Sequence, residues 1–327
     1  MVRLGTVVEL PTKSAARTKL AELMNSPSEK PTDMTFTELS TRWTNVEGPA
    51  LKTSTLDHYT NALNAYVTPA FGERKIGTIN REDIQTFLAE KAKKYSTSTL
   101  RSMRAVLGLT LGWANACGWI SRNPCVKVRL PKETGGKRVT RTVLTTEQVN
   151  NIVGVLREPY ATLVLLLAET GLRISEAIAV RAEDLNDNVL SVSRRVYDGA
   201  TDSVKSARAV RSIPLSAALV ERIRALNKQG LIFRSRAGTV INPNNALKRY
   251  IKGEDGAATK LGIAIGGWHD FRHTLATNLR RAGAHPKVVS GILGHARVNL
   301  AMDTYDHTDV QDFSAALVKV NRLLATC

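Results

Sequence analysis

"DNVLSVSRRVYDGATDSVKSARAVRSIPL", Asp187 to Leu215, is where the chain changes its period. Short runs rich in Val, Ser and Arg are separated by polar turns such as Asp198-Gly199, the pattern of brief antiparallel strands. On both sides the period is helical. Upstream, "TTEQVNNIVGVL" (Thr145–Leu156) and "YATLVLLLAETG" (Tyr160–Gly171) read as helices, with Gly171 a natural stop. Downstream, helical spacing resumes near Ser216 and dominates to the end. The second half of the chain is therefore a mainly α domain with a small antiparallel sheet set into it. No fixed repeat recurs, which excludes a solenoid.

The first half is helical once past its head. From Thr35 to about Cys125, "FTELSTRW", "STLDHYTNALNAYV", "INREDIQTFLAEKAKKY" and "STSTLRSMRAVLGLTLGWANACGWI" predict about four amphipathic helices with short loops, enough for a small bundle. Asn80 is a candidate N-cap with acids in the first turn after it. Ser96 or Thr97 caps the last helix, which stops near Gly118. "VKVRLPKETGGKRVTRTVLT" then breaks the pattern with Pro131, Gly135-Gly136 and many cations, and reads as a basic linker. The boundaries so drawn are an appendage over 1–33, a helical domain over 34–127, a linker over 128–142, a larger domain over 143–312 and a terminal helix over 313–327.

The 327 residues carry 46 Lys+Arg against 29 Asp+Glu, a net charge of +17. Such an excess favours a polyanionic partner through counterion release, and nucleic acid is the commonest. Cys117, Cys125 and Cys327 make neither a disulfide framework nor a paired zinc motif. No apolar run is long enough to span a bilayer and no signal-peptide core opens the chain, so a cytoplasmic protein is expected. A P-loop and the carboxylate set of a two-metal transposase are both missing.

"HDFRH", His269 to His273, is the stretch that asks for chemistry. Two histidines four apart suit one helix face, but a zinc protease would want Glu where Asp270 stands, no further ligand is near, and Arg272 would repel a cation. No metal is expected. A phosphate suits the stretch better, because His269 and Arg272 share a face and a guanidinium matches phosphate oxygens with two parallel bonds. Upstream, "ETGLRISEAI" places Arg173 just after a glycine turn, with Glu176 one turn on to hold the guanidinium. "VKSARAVRSIPL" puts Lys205 at a turn between strands, as a solvated lysine or a proton donor. "GILGHARVNLAMDTYDHTD" adds His295 and then Tyr305, in a polar setting that core packing explains poorly.

In this order (Arg173 in GLRISE, Lys205, His269-x-x-Arg272, Leu-Gly-His295, Tyr305) the residues resemble the tyrosine recombinases, the phage integrases and Xer-type recombinases. The resemblance extends over about 290 residues and takes in the helical first half, which is similar to the family's core-binding domain. It implies a SAM-like helical core-binding domain plus a tyrosine recombinase catalytic domain, closing as a C-shaped clamp on DNA. Tyr305 matches the nucleophile that forms a 3′-phosphotyrosine and frees a 5′-hydroxyl. Arg173 and Arg272 match the clamp on the non-bridging oxygens, and Lys205 the general acid. His269 matches the base or proton relay, His295 a second phosphate-binding histidine, and Glu176 the acid behind the first arginine. Phosphotyrosine conserves the energy of the cleaved bond, so neither ATP nor any other cofactor is needed, and cationic side chains take the electrostatic part a metal plays elsewhere. The chain departs from the pattern at Ala301-Met302, where many relatives carry Thr-Thr or Met-Thr; His273 is read as a packing residue or a partner in a backbone hydrogen bond.

The resemblance further implies double-stranded DNA with core-type recombination sites as partner, a homo-tetramer on that DNA formed from monomers or weak oligomers, accessory bending or directionality factors, and a phage or other mobile element as cargo. Lys52, Thr53, Arg101 and Arg104 are the candidate DNA contacts. Phe313, Leu317, Val320 and Leu324 fall at helical spacing, and in relatives such a tail docks on a neighbouring protomer. The head "GTVVELPTKSAARTKLAELM" resembles the last strand and helix of an arm-binding domain. Two other functions compete, a type IB-like topoisomerase and a catalytically silent DNA-binding protein; the second would have no use for the set from Arg173 to Tyr305.

Overall fold

A computed structural model of the chain describes residues 33–131, 142–203, 210–294 and 310–321. The chain divides into two compact units, Met1–Arg138 and Val139–Cys327.

Among the described residues, the first unit is built from four principal helices. Helix α1 (Phe36–Glu47) starts at Thr35, whose side chain caps the Glu38 amide while Glu38 returns a bond to the Thr35 amide. Helix α2 (Thr53–Ala62) runs on through a π-helical turn at Leu63–Val67 and a last turn at Thr68–Phe71. Helix α3 (Arg81–Ala92) is capped by Asn80 in a reciprocal pair with Asp83, as its sequence predicts. Helix α4 (Thr97–Ala116) takes Ser96, not Thr97, as its N-cap and ends just short of Gly118, which turns left-handed at φ 75°. The apolar stripes of these helices close one core, with Phe36, Leu39, Ile84, Leu88, Leu100 and Leu107 fully buried.

The second unit is organised around one apolar helix. Helix α6 (Tyr160–Thr170) buries every residue but Leu165, packed against α5 (Thr146–Val155), α8 (Ala217–Leu226) and α11 (His269–Arg281). A helix apolar on all sides is a core element, and the rest of the unit wraps it. After α6 come the short α7 (Ile174–Ala177) and, among the described residues, the strands β1 (Leu185–Asn186), β2 (Val189–Val192), β3 (Arg194–Tyr197), β4 (Ala200–Ser203) and β5 (Arg211–Pro214). They form an antiparallel sheet of order β1-β2-β5 and a β3-β4 hairpin. Leu190 opposite Ile213 supplies the sheet's inward face. Helices α9 (Pro243–Ala246, continuing as a π-helical turn to Lys252) and α10 (Ala257–Lys260) lead to α11, then α12 (Pro286–Leu293) and α13 (Val310–Asn321). Helix α13 packs on β5, α11 and α12 of its own chain, with Phe313, Leu317 and Val320 in the same core; Leu324 lies outside the described residues.

The architecture is the mainly helical one with a small antiparallel sheet that the change of period at Asp187–Leu215 predicts.

Candidate active site

The site grows from the end of α6. Gly171 terminates that helix in the left-handed region (φ 63°), which L-residues adopt at a cost. Space demands glycine as well: a Cβ there would lie 2.6 Å from Cδ2 of Leu293 and 3.0 Å from Cδ2 of Leu275. The chain then turns outward through Leu172 and reaches Arg173, the N-cap of α7. Glu176, at the third position of that helix, accepts from the Arg173 amide at 3.1 Å with Oε2 and from Arg173 Nη1 at 2.7 Å with Oε1. The sequence spacing places the acid one turn on; the fold buries it to 3% exposure while leaving the Arg173 side chain 36% exposed. The guanidinium is therefore held from behind with one side open.

Arg272 enters from α11. Asp270, accepting from the Gly266 amide at 2.6 Å, and Trp268, whose indole donates to the Pro243 carbonyl at 2.8 Å, fix the start of that helix. His269 is its first residue and is exposed; His273 is half-buried one turn on. Arg272 is buried, with Nη1 on the Gly171 carbonyl and Nη2 on the Leu293 carbonyl, both at 2.7 Å. Burial, then the charge of Arg173, push its pKa down to about 9, which leaves it cationic at neutral pH. Arg173 Nη2 reaches the next carbonyl, Gly294, at 3.3 Å. The two arginines thus meet at Leu293-Gly294, immediately before His295.

A third arginine, Arg211 on β5, completes the cluster. Its Nη2 lies 2.9 Å from Glu176 Oε2 and its Nε donates to the Ile292 carbonyl at 2.8 Å. Motif spacing does not single it out, although the strand pattern holds a signal: Arg211 and Ile213 alternate on the inward face of a strand, where a cation is rare without a partner. Burial alone would raise the Glu176 carboxyl, but the charge and hydrogen bond of Arg211, with those of Arg173, hold it below the usual carboxylate range. Three guanidiniums against one carboxylate leave an excess positive charge beside the open side of Arg173, which suits an anion gaining charge.

Arg173, Glu176 and Arg272 are thus brought together by α7 and α11, with His269 at the head of the same helix as Arg272. Lys205, His295 and Tyr305 lie outside the described residues. Lys205 falls between β4 and β5, which belong to different ladders. In the first unit, Lys52 precedes α2 and Thr53 opens it, both exposed; Arg101 is exposed on α4; Arg104 is half-buried and donates to the Val128 carbonyl at 3.1 Å. Among the described residues no group of His, Cys, Asp or Glu could hold a metal, and no helix is long and apolar enough to cross a membrane.

Residues 142–312 match the phage integrase family and residues 36–130 the phage integrase central domain. The chain belongs to the phage integrase family, and its activity is that of a tyrosine recombinase, the site-specific breaking and rejoining of DNA strands. It is 25% identical over 289 residues to a XerC-like tyrosine recombinase of Caldanaerobacter subterraneus, covering 76% of this chain and 72% of that one. It is 26% identical over 286 residues to the integrase of Mycobacterium phage D29, covering 82% and 74%. In fold it is similar to the Tn1549 transposon integrase in complex with a circular intermediate DNA (TM-score 0.68, 19% identity, 88% of this chain and 99% of that one). It is likewise similar to lambda integrase in a tetramer bound to a Holliday junction (TM-score 0.63, 17% identity, 91% and 89%).

Proposed function

We propose that the cluster around Arg173 and Arg272 grips the phosphodiester that Tyr305 attacks. The Tyr305 oxygen bonds to phosphorus, the bond to the 5′-oxygen breaks, and a 3′-phosphotyrosine and a 5′-hydroxyl result. Lys205 gives its proton to the leaving oxygen, His269 takes or relays the proton of the tyrosine, and His295 donates to a non-bridging oxygen. The reverse attack by a 5′-hydroxyl of a second duplex rejoins the strand and completes exchange. The observation that carries this reading is the meeting of two guanidiniums, one buried and one half-open, at the turn that leads into His295. Preorganised charge of this kind acts where charge develops in the transition state, and loss of one such donor costs about 10²–10³-fold in rate.

The substrate is double-stranded DNA carrying core-type sites, on which four copies assemble, with Lys52, Thr53, Arg101 and Arg104 as the contacts of the helical unit. The cargo is a phage or other mobile element, and the reaction takes place in the cytoplasm on the chromosome. The terminal helix, of which Val310–Asn321 packs on β5, α11 and α12 of its own chain, docks on a neighbouring protomer in the assembled tetramer.

The test is a nicked duplex, selected from random sequence by binding, incubated in EDTA with wild type and Tyr305→Phe and resolved on a denaturing gel. A covalent protein–DNA band with wild type alone supports the reading, and strand exchange between two duplexes separates recombination from relaxation. Tight binding with no band in either lane sinks it.

A further inference from the structure

Three consecutive carbonyls at the end of α12 each take a different arginine. Ile292 accepts from Arg211 Nε at 2.8 Å, Leu293 from Arg272 Nη2 at 2.7 Å and Gly294 from Arg173 Nη2 at 3.3 Å. Last-turn carbonyls lack partners within their helix and carry the negative end of its dipole, so cations belong there. Two of these arginines are the ones assigned to the phosphate. Arg211 is different. Its second arm goes to a carboxylate, Glu176 Oε2 at 2.9 Å, where the second arm of Arg272 goes to another carbonyl.

What Arg211 touches gives its role. On one side is the acid whose other oxygen holds Arg173 at 2.7 Å; on the other is the end of the helix from which the chain runs to His295 and Tyr305. We propose that Arg211 is a positioning residue for strand cleavage, a two-armed strut that ties the Glu176–Arg173 pair to the helix end leading into the nucleophile segment. The inference rests on the active-site reading above. Only a guanidinium can do this, because the two bonds leave different nitrogens of one rigid plane; an ammonium is a single point. Gly294 is part of the same device. It sits at φ 63°, and a Cβ on it would fall 2.8 Å from Arg211 Nη1, which two hydrogen bonds keep from moving aside. The strut leaves room for glycine alone.

Because Arg211 acts through Glu176 and the Ile292 carbonyl, its loss should slow chemistry and spare binding. A misplacement of about 1 Å in a positioned group costs on the order of 10²-fold. The experiment measures single-turnover formation of the Tyr305-linked adduct on the selected nicked duplex, and equilibrium affinity for the same duplex in a Tyr305→Phe background. It uses full-length wild type, Arg211→Met, Arg211→Lys, Glu176→Gln and the double variant Arg211→Met/Glu176→Gln. Expected are a rate lower by about 10²-fold for Met, a smaller loss for Lys, and affinities within about threefold of wild type. The double variant should be little slower than Arg211→Met, since residues acting through one another are not additive. A rate for Arg211→Met near wild type overturns the proposal. So does a loss that tracks the folded, DNA-bound fraction, or effects that multiply in the double variant. Should Arg211→Met fail to fold, Arg211→Lys decides: slower cleavage at unchanged affinity supports the strut, and a wild-type rate removes it. No adduct with wild type would sink the active-site reading itself, whereas an undiminished adduct in the variants sinks only this inference.

Discussion

Replacing Glu176 by Gln removes one charge and almost no volume, so its cost is set by hydrogen bonds and charge rather than by packing. The wild-type carboxylate accepts three bonds: Oε1 takes Arg173 Nη1, and Oε2 takes the Arg173 amide and Arg211 Nη2. An amide has one acceptor oxygen. Turned to keep the two bonds on the Oε2 side, it points its NH₂ at Arg173 Nη1, donor against donor; turned the other way, it loses two bonds and confronts Arg211. Either way Arg211, buried at 4% exposure, is left without this counter-charge. Breaking a buried ion pair from one side costs about 3–5 kcal/mol; the retained bonds place this case near the lower end. For a domain of this size that is a fall of about 6–12 °C in the melting temperature. The pH dependence fixes the cause. Glu176 has a folded pKa held below its unfolded value, so its stabilisation is fully present above the unfolded value (about 4.3) and is lost as pH falls through the folded one. The gap between wild type and Glu176→Gln should therefore be widest near neutrality and close in acid. Calorimetry of both proteins from pH 7 downward reads this directly. A gap of less than about 2 °C at pH 7, or one that does not narrow in acid, would refute the assignment of Glu176 as an ionised partner of two arginines.

Further predictions rest on separate features. Gly171→Ala combines a positive φ with a Cβ 2.6 Å from Leu293, and should cost at least about 2–3 kcal/mol in chemical denaturation; a loss under about 1 kcal/mol would mean the α6 turn is adaptable. Arg272→Lys cannot reach both the Gly171 and Leu293 carbonyls, so adduct formation should fall by about 10²–10³-fold; a lysine variant with near-normal cleavage would deny the need for the fork. Glu169, buried beneath Ser216, has its pKa raised by burial against the hydrogen bonds from that serine. A raised folded pKa in an acid costs stability above the unfolded value, so Glu169→Gln should melt higher than wild type at pH 7 and lose that advantage below about pH 4, checked by thermal melts at both. Asp83→Ala removes a reciprocal cap and the 2.8 Å contact with Arg74, both partly exposed, and should cost only about 1–2 kcal/mol in urea denaturation of the full chain.

Local signals carried much of the plan. The capping residue Asn80 and the stop at Gly171 act within a few residues of themselves, and both are legible in the sequence. The change from a period near four to a period of two at Asp187 set the sheet between helices. The Arg173–Glu176 pair is legible for the same reason, since one helical turn fixes the distance. Arg272 with His269 is legible as a face of α11. The convergence of these pairs is another matter. That the Arg272 guanidinium sits on the Gly171 carbonyl depends on α11 crossing α6, and that Arg211 binds Glu176 depends on the register of β5 against β2 and on how α12 ends. Tertiary packing likewise decided that Arg104 is bound to the Val128 carbonyl and that Phe313, Leu317 and Val320 serve their own core. Bonds between residues far apart in sequence leave no period to read. The residue types and their local geometry were written in the chain, and the fold alone chose which three arginines would share one helix end.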